Sequence, residues 1–126
     1  MTASLTTASA VERTIEREEL RQKLTGCEAF KLVMAGSDWA FRTKRIPGSL
    51  HFDPRRPTAL LAVLGRGDDI VVYCSNVDCK ASSVAYQRLV ENGYTSVRHY
   101  RGGLIEWENA GLPLEGEGAG PHGDSG

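Results

Sequence analysis

The segment Ile70-Val71-Val72-Tyr73-Cys74 constrains this chain more than any other. Its first four residues are apolar without alternation. That is the pattern of a strand covered on both faces, as in parallel sheets flanked by helices. A polar stretch, Ser75 to Lys80, follows at once. Ser82 to Glu91 then reads as a helix, with Val84, Ala85, Leu89 and Val90 as its apolar stripe, Ser82 or Ser83 as its N-cap, and Asn92-Gly93 as its end. A cysteine at the carboxyl end of a buried strand, before a polar loop and a helix, sits where open α/β sheets bind ligands.

The surrounding segments fit the same architecture. Thr14 to Leu24 reads as a helix with Leu20 and Leu24 on one face and Gly26 as its stop. Phe30 to Met34 reads as a strand ended by Gly36, and Asp38 to Phe41 as a short helical turn. Ile46 to Ser49 is a turn feeding the short apolar segment Ser49 to Phe52. Ala59 to Leu64 reads as a short helix, Val97 to Tyr100 as a strand, and Leu104 to Asn109 as a helix carrying Trp107. Alternating strands and helices predict a parallel α/β sheet with helices on both sides. Residues 1–11 and 116–126 are small, polar or Gly-rich and are expected to be flexible, leaving one domain over 12–115.

Composition excludes several function classes. The chain has 126 residues, 40% hydrophobic and 25% charged, with a formal net charge of -1. No strong field is available for nucleic acid or an anionic membrane. Arg42, Lys44 and Arg45, and the Pro-interrupted Arg55-Arg56, read as solvated surface. No apolar run approaches the ~20 residues of a membrane span, and Met1 to Ala10 does not read as a secretory signal. The cytoplasm is the expected location. Three cysteines, an odd number, argue against a secreted disulfide framework and for reactive or buried thiols.

Four pieces taken together resemble the rhodanese (thiosulfate sulfurtransferase) family of single-domain proteins. They are Val71-Val72-Tyr73-Cys74; the helix ending Asn92-Gly93-Tyr94; Tyr100-Arg101-Gly102-Gly103-Leu104-Ile105-Glu106-Trp107 through Ala110-Gly111-Leu112-Pro113-Leu114-Glu115; and Arg45-Ile46-Pro47-Gly48-Ser49, similar to the family's His-Ile-Pro-Gly-Ala turn. The resemblance covers roughly residues 14 to 115. It implies a three-layer α/β fold with a central parallel sheet of about five strands. It also implies transfer of a sulfane sulfur from a donor such as thiosulfate or a persulfide to a thiol or cyanide, through a persulfide on Cys74. The chain departs from the family at two places. Met34-Ala35-Gly36 stands where Asp-x-Arg is usual, and Cys79 and Lys80 stand where an Arg and a helix-opening Ser are usual. The loop, also about two residues longer, resembles a subgroup with Cys-x4-Cys.

The expected site is therefore Cys74 as nucleophile in the loop Ser75, Asn76, Val77, Asp78, Cys79 and Lys80, with Lys80 and Arg101 as possible substrate contacts. Loop N–H groups and the following helix N-terminus favour the thiolate, so Cys74 is expected to be substantially ionised near neutral pH. Ser75 and Asn76 would act through their backbone amides, while Asp78 opposes the nearby cations. The bland readings stand beside these. Cys74 can be an inert buried thiol, and Cys79 can be passive rather than resolving. Cys27, His51 and His99 read as structural, Trp39 and Trp107 as core or rim packing, with a cleft wall as the other role for Trp107. No metal spacing and no cofactor motif are present; Gly102-Gly103 lacks the Gly-x-Gly context of a phosphate loop. Partners expected are a small sulfur donor and a thiol acceptor, with a thiol-bearing protein as the other kind of acceptor. Three further functions remain open: thiol redox or sulfur sensing by Cys74 and Cys79, a phosphatase or arsenate reductase with Lys80 in the place of an Arg, and a non-catalytic binding module.

Overall fold

The computed structural model describes residues 13–26, 29–53, 56, 60–75 and 80–118. Its elements are α1 (Arg17–Thr25), β1 (Lys31–Ala35), α2 (Asp38–Thr43), β2 (Leu50–Phe52), a 3-10 turn (Leu60–Val63), β3 (Asp69–Tyr73), α3 (Ala81–Glu91), β4 (Ser96–Tyr100) and α4 (Gly103–Asn109). The sheet is parallel in the order β2-β1-β3-β4. The α/β class and the flanking helices are as expected, but the sheet has four strands rather than about five. Beyond β4, chain 13–15 contributes only a single parallel bridge, Thr14 to His99, with Ile15 N–H donating to the His99 carbonyl at 3.1 Å. That short contact covers the edge without becoming a strand, and α1 begins at Arg17 rather than Thr14.

Side chains alternating along β1 and β3 divide the core in two. Val33, Ala35, Phe52, Ile70, Val72 and Val97 face α3 and the 3-10 turn, packing on Leu60, Leu64, Ala85 and Leu89. Leu32, Met34, Val71, Tyr73 and Tyr100 face α1 and α4, packing on Ile15, Leu20, Leu104 and Trp107. Every side chain of Ile70 to Tyr73 is buried, which is why the run does not alternate.

Several local expectations change. The short helix expected over Ala59 to Leu64 is a 3-10 turn at Leu60–Val63, and Ala59 lies outside the described residues. The N-cap of α3 is Lys80, so Ser82 and Ser83 lie within its first turn. Ser82 is buried and shares a hydrogen bond with His99 Nε2 at 2.8 Å. The buried face of α3 is Ser82, Ala85, Tyr86 and Leu89. Val84 and Val90 are 42% and 41% exposed, so neither belongs to the core stripe. Trp39 is 70% exposed, not packed, whereas Trp107 is buried and donates to the Pro113 carbonyl at 2.8 Å.

The basic cluster at the end of α2 is neutralised locally. Arg42 pairs with Asp38 at 2.8 Å, Lys44 with Glu108 at 2.6 Å and Arg45 with Glu115 at 3.1 Å. Glu117 N–H donates to the Arg42 carbonyl and Gly118 N–H to the Thr43 carbonyl. Backbone contacts thus extend past Glu115 to Gly118. A Cβ on Gly116, whose φ is 120°, would stand 2.7 Å from the Thr43 oxygen, so only glycine permits this close approach.

Candidate functional site

Because all four strands are parallel, their carboxyl ends share one edge of the sheet. Cys74 follows β3 there and is 2% exposed. Its environment is built from its neighbours in the sheet and from α4. The Cys74 carbonyl accepts the Leu104 N–H at 2.7 Å, and the Ser75 carbonyl accepts the Ile105 N–H at 2.9 Å. The first N–H groups of a helix have no partner within it. Here two of them are used to hold the start of the loop, so α4 and the cysteine loop are one unit.

The turn before β2 is tied to the same strand. Tyr73, the residue before Cys74, receives the Ile46 N–H on its hydroxyl at 2.9 Å and pairs with Ser49 Oγ at 2.6 Å. Burial pushes the Tyr73 phenol well above the ordinary tyrosine range, against the opposing effect of those hydrogen bonds. On β4, Tyr100 donates to Glu106 Oε1 at 2.6 Å. Burial and then the Glu106 carboxylate raise its pKa likewise. The same Glu106 carboxylate lies over Gly102, where a Cβ would meet Oε1 at 2.1 Å.

Cys74 is disulfide-bonded. The thiolate expected from the sequence is therefore not the form present, and the sulfur does not titrate in this state. The chain's other cysteines, Cys27 and Cys79, lie outside the described residues, as do Asn76, Val77 and Asp78. Ser75 is half-buried and holds Ile105 through its carbonyl, whereas the sequence had suggested its N–H. Lys80 is exposed at the start of α3, and Arg101 is exposed after β4. His51 Nε2 is 2.8 Å from the Gly36 carbonyl, and its ring stacks on Phe41. No group of three or more His, Cys, Asp or Glu side chains among the described residues is placed to hold a metal ion. No helix among them is long and apolar enough to cross a membrane.

Two features escaped the sequence. The clamp of Leu104 and Ile105 on the loop is made of backbone groups and leaves no residue-type signal. A cleft of about 650 Å³ along α3 is lined by Lys80, Ser83, Val84, Gln87, Arg88 and Glu91. Its spacing was legible, since Lys80, Val84 and Arg88 stand four apart, but Val84 had been assigned to the core.

Comparison with known proteins agrees with this geometry. Residues 16–110 match the rhodanese-like domain family. A sulfurtransferase of Allochromatium vinosum is 29% identical over 100 residues, covering 79% of this chain and 92% of that protein. An HTH-type transcriptional regulator of Mycobacterium tuberculosis, Rv0324, is 29% identical over 113 residues; the match covers 90% of this chain but only 49% of the regulator. Among solved structures, the rhodanese-like domain of Anabaena Alr3790 superposes with a TM-score of 0.74 at 22% identity, covering 88% of this chain and 84% of that one. The Bacillus halodurans BH2092 protein gives 0.76 at 18% identity, with 91% and 85% covered. The polysulfide-sulfur transferase homodimer of Wolinella succinogenes gives 0.69 at 20% identity, with 95% and 90% covered. With a matched segment reaching from the start of α1 to the end of α4 and a cysteine at the carboxyl edge of its sheet, this chain belongs to the rhodanese-like domain family.

Proposed function

We propose that the protein is a sulfurtransferase working through a persulfide on Cys74. One observation carries the reading: the cysteine lies at the carboxyl edge of a buried strand, with its own and the next carbonyl clamped by the Leu104 and Ile105 N–H groups. The first turn of α3, whose early N–H groups have no helical partner, begins where the loop ends and adds partial positive charge there, which favours a sulfur anion.

The reaction runs in two displacements. Once a thiol reductant has opened its disulfide, the Cys74 thiolate attacks the outer sulfur of thiosulfate, the sulfur–sulfur bond breaks and sulfite leaves with its electron pair. Cys74 then carries a persulfide. A thiolate or cyanide attacks the terminal sulfur, takes it as a persulfide or thiocyanate, and the Cys74 thiolate is regenerated. A persulfide donor serves the first step equally, with its own thiolate leaving. Lys80 and Arg101 would attract the anionic donor, as point charge and as planar fork respectively. The acceptor is a small thiol or a thiol-bearing protein, and the reducing cytoplasm is the compartment we assign.

A second reading is thiol redox chemistry by Cys74 and Cys79. The disulfide at Cys74 favours it. Cys79 is the nearer of the other two cysteines in sequence, five residues on.

Intact-mass analysis separates the two. The reduced protein is incubated with thiosulfate and, separately, with a persulfide donor. A gain of one sulfur (about 32 Da) that cyanide removes and Cys74→Ser lacks is the expected result. Cys79→Ser should retain most of it. No adduct from either donor, with a loss of two hydrogens on mild oxidation that Cys79→Ser abolishes, would transfer the assignment to the redox pair.

A further inference from the structure

The first described residue enters the fold beside α3. The Arg13 N–H donates to the Tyr86 hydroxyl at 2.9 Å, and the Arg13 carbonyl accepts the His99 N–H at 2.8 Å. Tyr86 is on α3 and His99 on β4. Residues 1–12 therefore reach the fold at the flank of α3. On the surface of that helix Val90, four residues after Tyr86, comes next, then Ser83 and Gln87, and then the outer face. The outer face carries the cleft of about 650 Å³ lined by Lys80, Ser83, Val84, Gln87, Arg88 and Glu91. All six stand on one side of a single helix, opposite the residues that face the sheet. They make one wall of the cleft, and none of the described residues makes the second. Val84 and Val90 leave apolar surface exposed there.

We propose that residues 1–12 of this chain dock along the outer face of α3 as an amphipathic helix and form that second wall. The inference is independent of the sulfurtransferase reading. Met1, Leu5, Ala8 and Val11 recur at spacings of four, three and three, which puts them on one helix face. Glu12 is the segment's only charged side chain. Direction follows from the sheet. Thr14 pairs in parallel with His99, and α3 runs opposite to β4 because it returns the chain between two parallel strands. A segment that enters Arg13 in the same direction lies antiparallel to α3. Leu5 and Val11 are separated by six residues, as are Val84 and Val90. Antiparallel packing thus brings Val11 to Val84 and Leu5 to Val90. A helix of twelve residues is marginal alone in water, in keeping with the flexible character that composition gives the free segment, and burial of these side chains stabilises it on α3. The strip is too small for a separate partner. It measures about 16 Å by 10 Å, whereas a stable interface covers about 800 Å² of each partner. A tethered segment is present at an effective concentration in roughly the millimolar range and needs far less contact.

The test uses the full chain with labelled methyl groups. NMR should show contacts of the Leu5 methyls with Val90 and of the Val11 methyls with Val84. The amides of residues 5–11 should exchange with solvent at least about tenfold more slowly than in a free peptide of the same sequence. Leu5→Asp should abolish that protection and shift the Val84 and Val90 signals. Val84→Asp, a change at an exposed position that leaves the buried core intact, should release the segment in the same way. Unprotected amides over residues 5–11 of the parent, or protection that survives both substitutions, would overturn the proposal. A sample mixing labelled and unlabelled chains identifies a different occupant. Contacts between Leu5 and Val90 that arise only between chains would give the face to a second copy and overturn docking within the chain. So would Val84 and Val90 signals that move with protein concentration while residues 5–11 stay unprotected.

Discussion

The Leu104 N–H and the Cys74 carbonyl are joined by a 2.7 Å hydrogen bond, so the residue expected to do the chemistry is positioned by the helix that follows the neighbouring strand. That helix starts at Gly103, whose φ of 72° lies in the left-handed region. An alanine there is strained by roughly 1–2 kcal/mol and tends to rotate the Leu104 N–H away from Cys74. Gly103→Ala should lower the melting temperature by several degrees and slow sulfur loading of Cys74, seen as a slower mass gain with the same donor. Full stability with normal loading would show that the clamp does not position the loop.

Tyr73→Phe isolates the other tie on β3. The substitution keeps the ring but removes the oxygen that accepts the Ile46 N–H and pairs with Ser49 Oγ. Ser49 retains the Ile46 carbonyl at 2.6 Å, whereas the buried Ile46 N–H loses its partner. The cost of such a group is about 1–3 kcal/mol. For a domain of this size that corresponds to a fall of roughly 4–8 °C per kcal/mol. Calorimetry should show Tyr73→Phe to be worse than Ser49→Ala, which leaves Tyr73 able to accept from Ile46. The reverse order would place the main tie at the serine.

Much of the fold was legible because its strands are short and apolar and its turns carry Gly or Pro at the right places. The start of β3 and the end of α3 at Asn92-Gly93 follow from pattern alone, and Gly93 has the positive φ of 91° that makes it a stop. What was not legible depends on tertiary partners. Ser82 was read as a cap because serine often caps, but His99 on β4 offers it a buried partner inside the first turn. Val84 and Val90 were read as core from hydrophobicity, yet the helix is rotated so that Ser82, Ala85, Tyr86 and Leu89 face the sheet. The candidate cysteine was found from strand, loop and helix order; its disulfide and its clamp depend on distances that no spacing encodes.

The two buried phenols give a prediction for alkaline pH. Tyr73 and Tyr100 both hold their protons above the ordinary tyrosine value of about 10, Tyr73 through burial and Tyr100 through burial and Glu106. Below that pH both states of the protein keep the proton and the phenols confer no pH dependence. Above it the unfolded chain ionises first and binds fewer protons, so stability falls as pH rises. Denaturant unfolding between pH 9 and about 12 should show this decline. Tyr100→Phe should flatten the slope, though it also removes the bond to Glu106. An unchanged slope in both phenylalanine variants would show that other groups cause the loss.

Ser82 and His99 link the first turn of α3 to β4, and their 2.8 Å bond is buried. Ser82→Ala removes one partner and should cost about 1 kcal/mol, with more if the imidazole edge is left without compensation. Its second consequence concerns the loop. The first turn of α3 follows the cysteine loop directly in sequence, so loosening it should slow loading of Cys74 even below the melting transition. Ser82→Thr retains a hydroxyl and should recover part of the rate, provided its extra methyl is accommodated beside His99. Loading rates are read by intact mass at a temperature where parent and variants are all folded. A Ser82→Ala protein that is less stable but loads at the parent rate would confine this pair to stability, and the placement of the loop would then rest on α4 alone.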